Sequence, residues 1–477
     1  MTMKLTAEEP SAVYKVLRER VGVPFVRLGE VAEVKAGFGF PEYLQGKTTG
    51  NYPFYKVGDI SSAWKANQVG LVGANHYVDE ADLATLKARP LPTGTIVFAK
   101  IGAAIGLNRR CVLTKPSLVD NNVFGLIPNA RTADTRYLFQ FMCSVDLMPL
   151  ARATTVPSLR KGDVEELLLP MPSLERQRQI ADYLDEQLSR LDASVAALLR
   201  AQANLKRYRA SVLKAACEGR LVPTEAELAR TEGRTFETGE QLASRIVSMR
   251  RATWSGRTKF KEPESPSAEM LPQSPAGWAW VRLDAIAEVT GGLAKSASRV
   301  STSPMREVAY LRVANVQRGY FDLSEIKTIL ATERDVEELK LLAGDVLFNE
   351  GGDRDKLGRG HVWNGEIAEA IHQNHVLRAR APVAMVLPTY LSICGNGYGI
   401  EWFSKFATQS VNLASISLST LRKFPIALPP CAEQHRIVAE ADRRLSLIRG
   451  AEAQVRANLA RAKRLRQSIL QAAFAPA

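Results

Sequence analysis

The chain carries one passage twice. Residues 167–181 read LLLPMPSLERQRQIA and residues 424–438 read FPIALPPCAEQHRIV, each a short apolar run, then prolines, then the polar start of a helix. LKRYRASVLKAACEG (205–219) aligns with AKRLRQSILQAAFAP (462–476) at an offset of 257, so Lys206, Arg207, Arg209, Ser211, Leu213, Ala215 and Ala216 all recur. Further matches keep the same order. GVPFVRLGEVAEVKAGF (22–38) pairs with GWAWVRLDAIAEVTGGL (277–293), PFYKVGDI (53–60) with AYLRVANV (309–316), GTIVFAKIG (94–102) with GDVLFNEGG (344–352), and NNVFGL (121–126) with NHVLRA (374–379). Chance does not give five matches in order, so the chain is a tandem duplication.

Each copy has two textures. Its first part has short strands and Gly/Asn turns, the pattern of a mixed globule of strands and helices. Its second part changes period. Leu184, Leu191, Leu198, Leu205 and Val212 recur every seven residues, as do Ala441, Ile448, Val455, Ala462 and Ile469. Prolines stand just before each run and Ser173 is placed to cap the first. A heptad stripe sustained this long indicates a helix packed along one seam, with a length of roughly 65 to 70 Å. The expected fold is therefore α+β: two mixed α/β globules in tandem, separated by two long helices that form an antiparallel coiled coil with a globule at each end. The boundaries drawn are an N-terminal extension 1–21, a globule 22–172, a helix 173–218, a joining segment 219–276, a globule 277–429 and a helix 430–477. The joining segment is expected to hold one short helix around 238–254, with Thr238 and Gln241 at capping-box spacing, and an exposed Pro/Ser-rich linker after it.

No catalytic motif emerges. The GKT at 46–48 lacks the phosphate-loop Gly, whose place is taken by Pro41. The one Pro pair is followed by Cys431 and not by the aromatic residue an amino-methyltransferase needs, Pro-Asp never occurs, and there is no GxSxG. His372 and His375 in HQNH have no further ligand at metal-site spacing, so no metal is expected. The five cysteines, with no CxxC, suggest a reducing cytoplasm. No apolar leader and no membrane-length run are apparent.

The formal net charge of +13 and the basic loops point to nucleic acid. The candidate DNA contacts are Lys100, Asn108, Arg109 and Arg110 in one copy, Arg354, Lys356 and Arg359 in the equivalent loop of the other, and Arg160, Lys161, Arg422 and Lys423 near the end of each globule. Arg and Lys neutralise phosphates, Arg pairs with guanine, and Asn pairs with adenine. Trp64, Tyr77 and Tyr320 are nearby aromatics that could pack on sugars or bases. The segments 39–52 and 294–308, by contrast with the shared frame, have almost nothing in common, which suits two readers of different sequences. Two other readings stay open: a self-contained DNA-modifying enzyme, disfavoured by the missing motifs, and a protein-interaction scaffold, disfavoured by the charge.

The pattern resembles the specificity (S, HsdS) subunit of type I restriction-modification systems. The resemblance rests on the tandem globule–helix frame, on the helix starts LLLPMPSLERQRQI and IALPPCAEQHRIV (with Glu433, Gln434 and Ile437 matching the family's Pro-x-x-x-Glu-Gln-x-x-Ile), on SPAGWAWVRLDAIAEV, and on AGDVLFNEGG. The first copy departs from the family at Arg176, Pro24-Phe25 and Thr95. The resemblance implies that each globule is a target recognition domain reading one half of a bipartite, asymmetric site on double-stranded DNA. It implies helices that set the spacer and dock two modification (methyltransferase) subunits, with restriction (endonuclease/translocase) subunits joining them. S-adenosylmethionine, ATP and Mg²⁺ would then belong to those partners, and this chain would have no active site.

Overall fold

A computed structural model describes residues 23–152, 155–254, 259–267, 271–294, 304–352, 356–409 and 414–474. The chain divides into a first unit, residues up to Leu199 together with Arg456 onward, and a second unit, Arg200–Val455.

In the first unit a five-stranded sheet runs in the order Ala32–Ala36, Val123–Pro128, Ile96–Ala99, Arg110–Leu113, Gly70–Leu71. In the second, Glu288–Thr290, Val376–Arg380, Val346–Asn349 and Gly360–Val362 repeat the first four of those positions. A three-stranded sheet accompanies each. Tyr52–Tyr55 lies parallel to Leu118–Val119 in one unit, and Met305–Leu311 lies parallel to Ala370–His372 in the other. The sequence matches thus fall on strands in corresponding places. Gly37 and Gly292, also matched, sit where a Cβ would run into the carbonyl oxygens of Asp120 and His372. The chain passes that close in both copies, so only glycine fits.

The duplicated passage has a mechanical explanation. Leu168–Pro170 pairs antiparallel with Phe25–Arg27 in the first unit, and Pro425–Leu428 pairs with Ala279–Arg282 in the second. The last strand of each globule therefore closes on its first, and the following prolines stop the pairing and release the chain into a helix. Those helices are Leu174–Cys217 and Cys431–Phe474, each 44 residues long. Ser173 Oγ accepts from the Arg176 amide at 3.4 Å, as its capping position requires.

The helices run antiparallel, and each unit holds part of that pairing. In the first unit Leu184 and Leu188 share a core with Ile469, Leu470, Ala473 and Phe474, and Arg466 donates to Asp192 at 2.7 Å. In the second, Leu205, Val212, Leu213 and Ala216 share a core with Ile437, Ala441, Leu445 and Ile448, and Arg209 donates to Glu452 at 2.8 Å. Val455 and Ala462 are buried, while Leu191 and Leu198 are half-buried. Heptad leucines near the middle of the first helix are thus less covered than those near its ends.

The joining segment holds two helices where one was expected, Glu225–Glu232 and Gly239–Ala252. Both begin with a reciprocal capping box, Thr224 with Glu227 and Thr238 with Gln241. Leu242 and Ile246 enter the core of the second unit, so this helix is part of that unit's globule. The Pro/Ser-rich stretch is tied down where it is described: Glu262 pairs with Arg251 at 2.7 Å, Glu264 pairs with Arg282 at 2.7 Å, and Trp280 donates to the Pro272 carbonyl at 3.0 Å.

Candidate nucleic-acid interface

The polypeptide brings the predicted basic segments together in a way sequence distance hides. In the first unit the Leu159 amide donates to the Lys100 carbonyl at 2.9 Å and the Gly102 amide to the Pro157 carbonyl at 2.8 Å, so the 100–110 loop lies against the segment that leads to Arg160 and Lys161. In the second unit the Ile416 amide donates to the Glu350 carbonyl at 2.8 Å, and Gly351–Gly352 pairs with Ala414–Ser415. The corresponding loop thus lies against the segment leading to Arg422 and Lys423. A third strand end completes each cluster, through Lys100 N to Asn122 O at 2.8 Å and Glu350 N to His375 O at 2.9 Å. Lys100 and Glu350 therefore hold equivalent places with opposite charge. Lys100 lies over the Phe124 ring, 5.3 Å from its centroid, and reaches the Asn121 carbonyl. Glu350 pairs with His375 at 2.6 Å.

The individual candidates differ in what they can offer. Arg109 is half-buried, and Arg160, Lys161 and Lys423 are exposed, with Lys161 loosely paired to Glu165 at 3.5 Å. Asn108 adopts the left-handed conformation at φ 54° with its Oδ1 buried and unpartnered. Arg359 donates to the Val313 carbonyl at 3.2 Å, and Lys356 is half-buried. Arg354 lies outside the described residues.

One expectation is corrected by burial. Arg110 is 1% exposed and donates to the Val145 carbonyl at 2.9 Å. Burial pushes its guanidinium down to about 10. It opens the strand Arg110–Leu113 and turns inward, so it is closed to a phosphate. Arg422 is exposed like Lys423, and its guanidinium also donates to the Val289 carbonyl at 3.0 and 3.3 Å, at the end of the short helix Leu418–Arg422. Moreover, Arg160 precedes its short helix, Lys161–Glu165, whereas Arg422 ends its own, so the two pairs of cations are not equivalent in the repeat. Of the aromatics, Trp64 packs against the first unit's core, Tyr77 lies under Lys115, and Tyr320 is 57% exposed.

His372 is buried, and the desolvation of its ring lowers its pKa to about 4. Its Nδ1 lies 2.6 Å from the Val376 carbonyl, so the neutral ring donates there. Among the described residues no group of three or more His, Cys, Asp or Glu could hold a metal ion, and no helix is long and apolar enough to cross a membrane.

Sequence reasoning marked Glu433 and Gln434 as a motif at the helix start but gave no sign that such residues fix each globule to its helix. The Gln177 side chain is fully buried: its Oε1 accepts from the Asp134 amide at 2.8 Å and its Nε2 donates to the Thr132 and Pro172 carbonyls. In the second unit Glu433 is also buried, accepting from Trp278 Nε1 at 2.9 Å and from the Glu225 amide at 2.8 Å. Desolvation raises its pKa, and the two donated hydrogen bonds act against that rise. Two of the first copy's three departures are thereby linked. It has neither the Trp nor the Glu, and Arg176 in the Glu position points outward to Gln179.

Residues 21–198 match the family described as the type I restriction modification DNA specificity domain. The chain is 24% identical over 326 residues to the type I restriction enzyme EcoDI specificity subunit of Escherichia coli, covering 68% of this chain and 65% of that protein, a little under two thirds of its length. With the EcoBI specificity subunit of the same species it shares 22% over 460 residues, 94% of this chain and 85% of that one. A solved chain from work on complex assembly and conformational transition of the type I R-M system superimposes with a TM-score of 0.63 at 17% identity, covering 95% of this chain and 97% of that one, which shows a common fold. A duplicated globule-and-helix frame, a matched specificity domain in the first copy and a relative aligned along nearly the whole length converge: the chain is similar to type I restriction-modification specificity subunits.

Proposed function

We propose that the chain reads DNA sequence for a type I complex, each globule recognising one half of a bipartite, asymmetric site on double-stranded DNA. The observation that carries this reading is the pair Lys100 and Glu350. They occupy equivalent loop positions held by equivalent backbone hydrogen bonds, yet they present opposite charges. A frame kept constant beneath loops that differ in charge suits two readers of unlike half-sites, since base edges are discriminated by donor and acceptor patterns. The relatives, which are specificity subunits of type I restriction enzymes, support it.

The long helices set the spacing and dock two modification subunits. Leu199, Tyr208, Leu447 and Leu465 on these helices are 47–65% exposed and available to a protein partner. Restriction subunits complete the nuclease. Methyl transfer and ATP-driven steps reside in those partners, with S-adenosylmethionine, ATP and Mg²⁺, and this chain supplies address and not chemistry.

The test is methylome sequencing of cells expressing the chain with its modification subunits, against cells lacking it. The expected result is one new two-part methylated motif with unlike halves and a constant spacer. A single continuous motif, or methyl transfer by the purified chain alone, would overturn the reading.

A further inference from the structure

Net charge is concentrated in a place the loops do not explain. Residues 193–217 of the first long helix contain Arg200, Lys206, Arg207, Arg209 and Lys214 and no Asp or Glu. Residues 453–474 of the second contain Arg456, Arg461, Lys463, Arg464 and Arg466 and again no acid. These two stretches account for ten of the chain's net +13. The first half of each helix is different: Glu175, Asp182, Asp185, Glu186 and Asp192 in one, and Glu433, Glu440, Asp442 and Glu452 in the other, are interspersed with cations.

In each unit one cation of the acid-free stretch is used internally, Arg466 on Asp192 in the first and Arg209 on Glu452 in the second. The rest are exposed: Arg456, Arg461, Lys463 and Arg464 in the first unit, and Arg200, Lys206, Arg207 and Lys214 in the second. Among the described residues, Lys214 is paired loosely with Glu218 at 3.9 Å and Arg207 donates to the neutral Asn204. The duplication preserves the division of labour. In Lys206-Arg207-x-Arg209 and Lys463-Arg464-x-Arg466 the third cation binds the partner helix and the first two face water.

Phase sharpens the pattern. Arg200, Arg207 and Lys214 are spaced by seven, so they form one row with a step of about 10 Å. The row lies two residues beyond Leu198, Leu205 and Val212, roughly 200° around the helix from the pairing seam. An ordinary solvated helix mixes signs and gains from i,i+4 ion pairs, which an acid-free stretch forgoes while crowding its cations together. A one-sign row on a helix is therefore a cost that a polyanion removes. Cores of protein interfaces are depleted of charge, and of Lys in particular. Lys206, Lys214 and Lys463 fit phosphates better than they fit such a core.

We propose that the acid-free half of each long helix binds the phosphate backbone of duplex DNA without regard to sequence. The helices then contribute affinity as well as spacing, and the globules are left to discriminate. The proposal rests on the reading of the chain as a DNA-binding subunit. It goes beyond that reading by moving most of the electrostatic contact from the loops to the helices.

The experiment uses the full chain, alone and assembled with its modification subunits. Two triple variants are made, R200Q/R207Q/K214Q and R456Q/K463Q/R464Q, with Arg→Lys versions as charge-preserving controls and helix content checked by circular dichroism. Affinity is measured across a salt series for a duplex carrying the methylated motif and for a scrambled duplex. Each triple Gln variant is expected to weaken binding to both duplexes by the same factor, about ten-fold or more. It is also expected to flatten the dependence of log K on log salt by about one unit per lost phosphate contact, while the Lys controls keep the parent slope. An unchanged slope in both Gln variants overturns the proposal. So does a variant that keeps the DNA slope but loses the modification subunits in co-purification, because the row would then serve a protein surface. A parent chain that does not distinguish motif from scramble overturns the sequence-reading function, while the slope comparison still decides this proposal.

Discussion

Gln177 and Gln434 make the same hydrogen bonds in the two units, although nothing around them in sequence except the helix start is shared. Gln434 Oε1 accepts from the Leu387 amide at 2.9 Å, and its Nε2 donates to the Met385 and Pro429 carbonyls. Asp134 and Leu387, whose amides are bound, each stand immediately before a helix, Thr135–Ser144 and Pro388–Asn396. One buried amide thus fastens the long helix, the prolines before it and a core helix of the globule. Tyr137 and Tyr390 in those core helices complete the joint by donating to the Pro170 and Ala427 carbonyls.

Replacing either glutamine by Ala takes the partner from one amide N–H and two carbonyls that are mostly half-buried. An unsatisfied buried group costs about 1–3 kcal/mol and a partly solvated one less, so Gln177→Ala or Gln434→Ala is expected to destabilise its own unit by about 2 kcal/mol. Urea unfolding, together with amide exchange at Asp134 or Leu387, reads the loss. A change below about 1 kcal/mol would show that the joint is not held by this side chain.

The coupling of Trp278 and Glu433 is open to a double-mutant cycle. Both carboxylate oxygens of Glu433 accept, one from Trp278 and one from the Glu225 amide. Glu433→Gln turns one acceptor into a donor, so a loss of about 1–3 kcal/mol is expected, and Trp278→Phe is expected to lose less. The double variant should fall short of the sum by about 1 kcal/mol. Additivity would mean that the two residues are not linked, and would leave the first copy's simultaneous lack of both unexplained.

His372 makes the second unit's stability depend on pH. Its pKa is depressed by burial from 6.5 to about 4, so between those values the unfolded chain binds the proton and the folded one does not. Stability from this group is complete above about pH 6.5 and is lost as pH falls toward 4. The total change is of the order of 3 kcal/mol. Charges facing the ring are Arg378, Arg380 and Asp345, and the two arginines reinforce its neutrality. His372→Asn, which keeps a donor for the Val376 carbonyl, is expected to flatten the dependence of the urea midpoint on pH in this window. An unaltered pH profile would assign the acid sensitivity to other groups.

Periodicity and proline placement made the architecture legible. The helices drawn at 173–218 and 430–477 are found at Leu174–Cys217 and Cys431–Phe474, because heptads and prolines are local signs. The helix Glu225–Glu232 was equally readable, from Thr224 and Glu227 at capping-box spacing and from Gly233, which takes φ 66° after its last turn, but its eight residues carry no long apolar stripe. What could not be read is which way a side chain turns. Arg110 looked like a loop cation until the strand it opens directed it inward. The Trp278–Glu433 contact joins residues 155 positions apart, and no spacing rule connects them. The basic loops drew attention for their Arg and Lys, whereas net charge, summed by segment, lies on the helices.

Spacing between the two half-sites is a property that helix length should set and loop chemistry should not. The ion pairs Asp192–Arg466 and Arg209–Glu452 provide natural marks for a deletion. Removing one heptad between Asp192 and Arg209 in the first long helix, and one between Glu452 and Arg466 in the second, keeps both pairs and returns each stripe to its own phase. Seven residues of helix correspond to about 10 Å, or roughly three base pairs of duplex at 3.4 Å each. Methylome sequencing of cells carrying this variant is expected to show the parent's two half-sites, letter for letter, with a shorter spacer. Methylation that persists at the parent spacing would mean that the helices do not measure distance. New letters in either half-site would mean that reading and spacing are not separable. Deleting a heptad from the first helix alone offsets its seam from the partner's by seven residues on one side of the cut, so that only one of the two ion pairs can be kept. That variant is therefore expected to lose methylation at every spacing, which distinguishes a shortened pair of helices from a damaged one.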